Sequence, residues 1–142
     1  MKYTVNKIDA AADQLDWAIK LFLDHGAYVS SITLAGAAEE IVGEAVSTDA
    51  AFHKLKEILF EKTGLEVKII SQEHLNKTKN WLKHWKNLKD DESLEIELEN
   101  EAIQYLVRAM TNFAIYDNSV TSETPRFYEW LVENKKELIN GL

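Results

Sequence analysis

The chain has 142 residues, 46% hydrophobic and 10% aromatic, enough for one well-filled domain and too few for two. Sixteen Lys and Arg stand against 24 Asp and Glu, a formal charge of −8 that disfavours a general nucleic-acid or anionic-membrane binder. The absence of Cys excludes disulfides, thiolate zinc sites and cysteine nucleophiles. No apolar run approaches membrane-spanning length and the N-terminus lacks an apolar signal core, so the expected setting is a cytoplasmic protein with no membrane partner.

With one Pro and five Gly there is little turn chemistry for many short strands, and helices are the expectation. Ile8, Ala12, Leu15, Ile19 and Phe22 step by four and three, one buried helix face that stops at Asp24-His25-Gly26. Trp17 and Leu21 lie on another side of this helix. From Val29 to Val46 the chain is rich in small residues, with Leu34, Ala38, Ile41 and Ala45 as the stripe. Its glycines, each costing roughly 1 kcal/mol against Ala, imply a compensating close approach. Ser47-Thr48-Asp49 opens a third helix carrying Phe52, Leu55 and Leu59 before Gly64.

Glu66 to Ile70 reads as a hydrophobic lead-in, and Ser71 as the start of a fourth helix running to about Asn87 with Leu75, Leu82 and the Trp81/Trp85 pair. Leu94 to Glu99 alternates apolar and acidic residues but has no pairing partner, so extended loop is expected. The fifth helix, about Asn100 to Tyr116, has Ile103, Leu106, Val107, Met110 and Ala114 on one face. Ala102, Tyr105, Ala109, Phe113 and Tyr116 form a second apolar face, which marks it as the central helix. Thr124-Pro125 caps and opens the last, with Phe127, Trp130, Leu131 and Leu138. The fold expected over residues 1–142 is therefore a single all-α domain, a compact bundle of about six helices.

Enzyme signatures are mostly missing. There is no Gly-rich phosphate loop, no Gly-x-Ser-x-Gly, no Glu-x-x-His and no His pair at spacing four, and neither a metal nor a cofactor is expected. Glu40 and Glu44 share a helix face, as do His53 and Glu57, a commonplace of solvated helices. The informative stretch is His74 to Lys89, which holds Lys77, Lys79, Lys83, Lys86 and Lys89 and no acid. Directly after it, Asp90 to Glu101 holds seven acids and no base. On the expected helix Lys79, Lys83 and Lys86 line one side as a candidate anion site. Asn80 and His84 stack beside them, where an imidazole can move a proton. The commoner reading of such segments is that they pair with each other in a salt-bridge lattice of small energetic value. Trp81 and Trp85 could stack on bases but more often pack in a core.

Four local patterns resemble a group of small bacterial all-helical proteins with no established activity: Ala11 to Phe22, Thr33 to Ile41, Asn80-Trp81-Leu82-Lys83-His84, and Phe127-Tyr128-Glu129-Trp130. The helical layout of that group is similar to the HEPN class, helical domains that often dimerise and in many members act as metal-independent ribonucleases. The ribonuclease signature is an Arg with a His five to seven positions later. Here every His precedes Arg108 and Arg126, so the signature is absent. The nearest substitute is Lys79-Asn80-x-x-x-His84, in which Lys lacks the bidentate fork of Arg. The expected function is a non-catalytic, homodimeric interaction domain with a protein partner. The alternative is a ribonuclease or nucleotide-binding protein with His84 as general acid/base, Lys79 and Lys83 holding phosphate and Asn80 orienting. The surplus apolar faces, Trp17/Leu21 and Ala102/Tyr105/Phe113, motivate the dimer.

Overall fold

In a computed structural model, residues 1–63, 75–84 and 92–136 are described. They form six α-helices and no strand: α1 (Lys7–His25), α2 (Tyr28–Val46), a 3-10 turn at Ser47–Asp49, α3 (Ala51–Thr63), α4 (Lys77–Lys83), α5 (Leu98–Asp117) and α6 (Thr124–Asn134). The expected lead-in at Glu66–Ile70, the Ser71 helix start, and Trp85, Lys86, Lys89 and Leu138 lie outside the described residues.

Local chemistry explains most of the ends. The Asn6 side chain accepts from the Ile8 and Asp9 amides at 2.8 and 3.3 Å, satisfying two of the donors a helix N-terminus leaves unpaired. Gly26 ends α1 in the left-handed region at φ 59°. Asn118 ends α5 at φ 56°, a conformation Asn tolerates. Pro125 sits in the first turn of α6, but the cap is one residue earlier than expected, at Glu123. Thr124 already belongs to the helix, and its hydroxyl bonds that of Thr121 at 2.9 Å. Leu94 to Glu97 belongs to neither helix nor strand, its apolar side chains half-buried and its acids exposed, and α5 then starts two residues before Asn100.

Specific contacts set the helix directions. Gly26 turns α1 into an antiparallel hairpin with α2, along which the Ser31 hydroxyl donates to the Ala18 carbonyl at 2.8 Å. Tyr28 meets Glu99 near the start of both α2 and α5, and Asn112 meets the Glu39 carbonyl further along both, so these two helices run parallel. The chain between them passes through α3 and α4. Helix α6 returns beside α1: Asp16 accepts from the Glu123 amide at 2.9 Å, while Phe22 packs edge-on against Phe127 and Trp130. Its far end is tied to Glu99 by Lys135 at 2.9 Å.

The core is the seam of α1, α2 and α5, where Leu15, Ile19, Ile32, Val42 and Leu106 are fully buried. Two expectations change. On α2 the buried residues include Ile32, Ala35, Glu39 and Val42 together with Ala38 of the expected stripe; Leu34 and Ile41 only flank them, and Ala45 is exposed. On α5 the second apolar face is not spare: Ala102, Tyr105, Ala109 and Phe113 are in the core, because α5 is enclosed by α1 and α2 on one side and approached by α3 and the Leu75–Lys79 segment on another. That part of the argument for a dimer is withdrawn, while Trp17 remains 49% exposed.

Candidate functional site

The basic helix lands on the acidic side chains of α2. Gly36 makes this possible: a Cβ there would sit 2.5 Å from Lys79 Cδ and 3.0 Å from Cγ. The missing side chain is thus a notch that carries the lysine stem inward. Only 1% of Lys79 is exposed, and its Nζ hydrogen-bonds Glu40 and stands 3.8 Å from Glu39. Lys83 reaches the other oxygen of Glu40 at 3.7 Å.

Behind Lys79 lies a second buried cation. Arg108 donates from one terminal nitrogen to the Leu75 carbonyl (2.9 Å) and Gln104 (3.3 Å), and from the other to Asn76 (3.0 Å), with the Glu39 carboxylate 3.2 Å away. The Phe52 and Tyr105 rings lie 5.1 and 4.9 Å from its guanidinium carbon, within cation–π range. Its Nε, however, is buried with no hydrogen-bond partner among the described residues. The Tyr105 hydroxyl donates to the Leu75 carbonyl (2.9 Å) and accepts from the Lys79 amide (3.3 Å). Asn112 donates to the Glu39 carbonyl (3.1 Å) and accepts from the Ala51 amide (2.8 Å), tying α2, α3 and α5 together.

Burial would raise the pKa of Glu40, but the hydrogen bond and charge of Lys79, with Lys83 adding, outweigh it and hold the carboxyl below its usual value. Burial pushes the Tyr105 phenol up to about 12, chiefly against the lowering effect of the Lys79 amide bond. An alkaline titration followed by tyrosinate absorbance should therefore show two of the five tyrosines lagging, Tyr105 and also Tyr28, which burial and its bond to Glu99 push up. Because the folded value lies above the free value of about 10, the stability contributed by Tyr105 is present below pH 10 and is lost as the pH rises between the two. Tyr105→Phe removes both bonds at the hydroxyl and should cost about 1–2 kcal/mol by denaturant titration, leaving Tyr28 as the tyrosine that lags.

These positions revise the expected site. Lys79 and Lys83 are brought together, through Glu40. Among the described residues, the acids that pair with both lysines are those of α2. Helix α4 ends at Lys83, short of Asn87, and His84 is its cap in extended conformation (φ −131°, ψ 134°). His84 therefore does not stack on Asn80 as a helical neighbour; its amide bonds the Asn80 carbonyl at 3.1 Å and its side chain is exposed. Asn80 is half-buried, and Lys86 is outside the described residues.

Sequence reasoning missed Glu39, Tyr105, Arg108 and Asn112. The available signal was one of opposites: Glu39 stands in the apolar row of α2, and Arg108 stands in that of α5. A charge inside a core stripe implies a buried partner of opposite sign.

Chemically, the arrangement is a closed set of ion pairs in which the ammonium of Lys79 is occupied by carboxylates. Among the described residues no group of three His, Asp or Glu is placed to hold a metal ion, and no helix is long and apolar enough to cross a membrane. The chain matches no protein-family model, no curated protein and no solved structure.

Proposed function

We propose that this chain is a non-catalytic helical binding domain that works as a homodimer in the cytoplasm, with the HEPN-like layout and bacterial source that its sequence resemblance implies. The observation that carries the non-catalytic reading is the burial of Lys79. A phosphate-holding cation must face substrate, and this one faces Glu39 and Glu40 at 1% exposure. His84 is exposed, at the end of the helix rather than beside that ammonium.

Support for the dimer comes from apolar side chains outside the core. Tyr128 and Val132 stand one turn apart on α6, 54% and 39% exposed, and Trp17 is exposed on the neighbouring α1. Sedimentation equilibrium at micromolar concentration should give a dimer that Tyr128→Asp with Val132→Asp shifts to monomer. A wild-type protein that is monomeric throughout removes the dimer. Incubation with RNA should leave it intact, whereas cleavage abolished by His84→Ala would replace the binding-domain reading with that of a ribonuclease.

A further inference from the structure

We propose that the outer face of the α1–α2 hairpin is a second self-association surface, on which the hairpin of another copy packs antiparallel about a two-fold axis to close a four-helix bundle. The inference rests on the reading that this chain binds its own kind, and it uses a surface other than Tyr128 and Val132 of α6.

The contact of Ser31 with Ala18 divides each helix of the hairpin into two sides. Leu15, Ile19 and Phe22 of α1, with Ile32, Ala35 and Glu39 of α2, turn from it into the bundle and are buried. On the other side α1 carries Lys7, Ala10, Gln14, Trp17, Leu21 and Asp24, none of them buried. Their steps of three and four repeat every seven residues, the period at which one helix lies along another in a coiled coil. Helix α2 repeats the pattern with Ser30, Leu34, Ala37, Ile41 and Glu44, likewise unburied. Leu34 and Ile41 belong to the apolar stripe that the sequence shows and the core only borders. Between their ends both rows are uncharged in a chain of net charge −8, so this face meets its own copy with little repulsion.

The rows are also self-complementary, as a two-fold contact requires. Turning one copy end over end about an axis between Gln14 and Trp17 sets three kinds of pair level along α1. Lys7 meets the partner's Asp24, an acid that already holds Arg126 at 2.6 and 2.9 Å. Ala10 meets the partner's Leu21, small against large. Gln14 meets the partner's Trp17, whose ring is 49% exposed and has Lys20 Nζ 4.6 Å from its centre. The side-chain oxygen of Gln14 is shielded from water and has no hydrogen-bond partner among the described residues, while an indole N–H is a donor only. Turned outward, the Gln14 amide gains the donor it lacks. On α2 the same rotation sets Leu34 level with the partner's Ala37 and Ile41 level with the partner's Ser30. Glu44 then lies beside the start of the partner's α2, where no side chain caps the free amides and a negative charge is favoured.

Sedimentation equilibrium of the full chain, carried from micromolar to millimolar concentration, should show the dimer pairing into a tetramer. Ala37→Glu puts like charges close to the two-fold axis and should weaken that step at least about tenfold, leaving the α6 dimer intact. In Tyr128→Asp with Val132→Asp the same step should survive as monomer to dimer. A wild type that never passes beyond the dimer, with that dimer unchanged by Ala37→Glu, overturns the proposal and leaves the α6 surface standing. A dimer lost to Ala37→Glu but kept by the α6 variant supports the hairpin face and overturns the α6 surface. The chain has no Cys, so single-cysteine variants report the register. In an equal mixture of Lys7→Cys and Asp24→Cys, mild oxidation should join unlike chains well beyond the half expected of random pairing. If Ala37→Glu fails to fold, this mixture decides, and disulfides formed at random or between like chains overturn the antiparallel bundle.

Discussion

Glu39→Ala should lower the unfolding free energy by about 3–5 kcal/mol, the range for breaking a buried ion pair from one side. The carboxylate is 3% exposed and answers two cations that are 1% and 2% exposed, so its removal strands charge that water cannot reach. A domain of this size has about 5–15 kcal/mol in total, and the midpoint of thermal unfolding should drop on the order of 10 °C. Glu40→Ala is the comparison: that side chain is 54% exposed and its pair is screened, so the loss should be no more than about 1 kcal/mol. Equal losses from the two substitutions, measured by urea titration, would refute the assignment of Glu39 as the interior counter-ion. Replacing Glu39, Lys79 and Arg108 together by apolar residues of similar volume should recover most of the loss, because desolvated ion pairs gain little net stability over well-packed hydrocarbon.

Gly36→Val should be the second large effect, a loss of about 2–3 kcal/mol from overpacking. In an ordinary helix interior, removing a glycine is favourable by up to about 1 kcal/mol. Here the first added carbon would lie 2.5 Å from the middle of a buried lysine stem that is fixed at both ends, by the backbone of α4 and by Glu39 and Glu40. The double variant with Lys79→Ala empties the notch and should return most of the cost. The measurable quantity is the coupling energy of the two substitutions, and strict additivity would mean that Gly36 is not the seat of Lys79. Gly43 offers a milder case, its absent Cβ standing 3.3 Å from the Asn112 amide nitrogen.

Much of the bundle was legible because period and punctuation agree in it. The first helix shows its stripe and its Gly26 stop, and the crowded apolar faces of the fifth helix mark the element that sits centrally. The candidate site was less legible, for a physical reason. Counting apolar residues on α2 favours Leu34, Ala38, Ile41 and Ala45, of which only Ala38 is buried, since Glu39 looks like an interruption of any core row although it is itself buried. The stretch Leu34 to Ala38 correctly announced a close approach: α2 packs along α1 and α5 with Ala35 and Ala38 fully buried, and at Gly36 it is the Lys79 stem that approaches. Lys79 reads as a surface cation in every local pattern, and four methylenes with one facing glycine suffice to bury it. The extension of the basic helix past Lys83 had no stop signal against it, yet His84 is already extended.

The parallel run of α2 and α5 has a kinetic consequence. The hairpin of α1 and α2 closes around Gly26 from residues close in sequence, whereas the contact of Tyr28 with Glu99 spans 71 positions and that of Glu39 with Asn112 spans 73. Closing such a loop precedes any reward from the seam, so assembly carries an entropic barrier that an up-and-down bundle of equal size avoids. The hairpin is the natural template, and the late event is the arrival of α5, which brings Arg108 to Glu39.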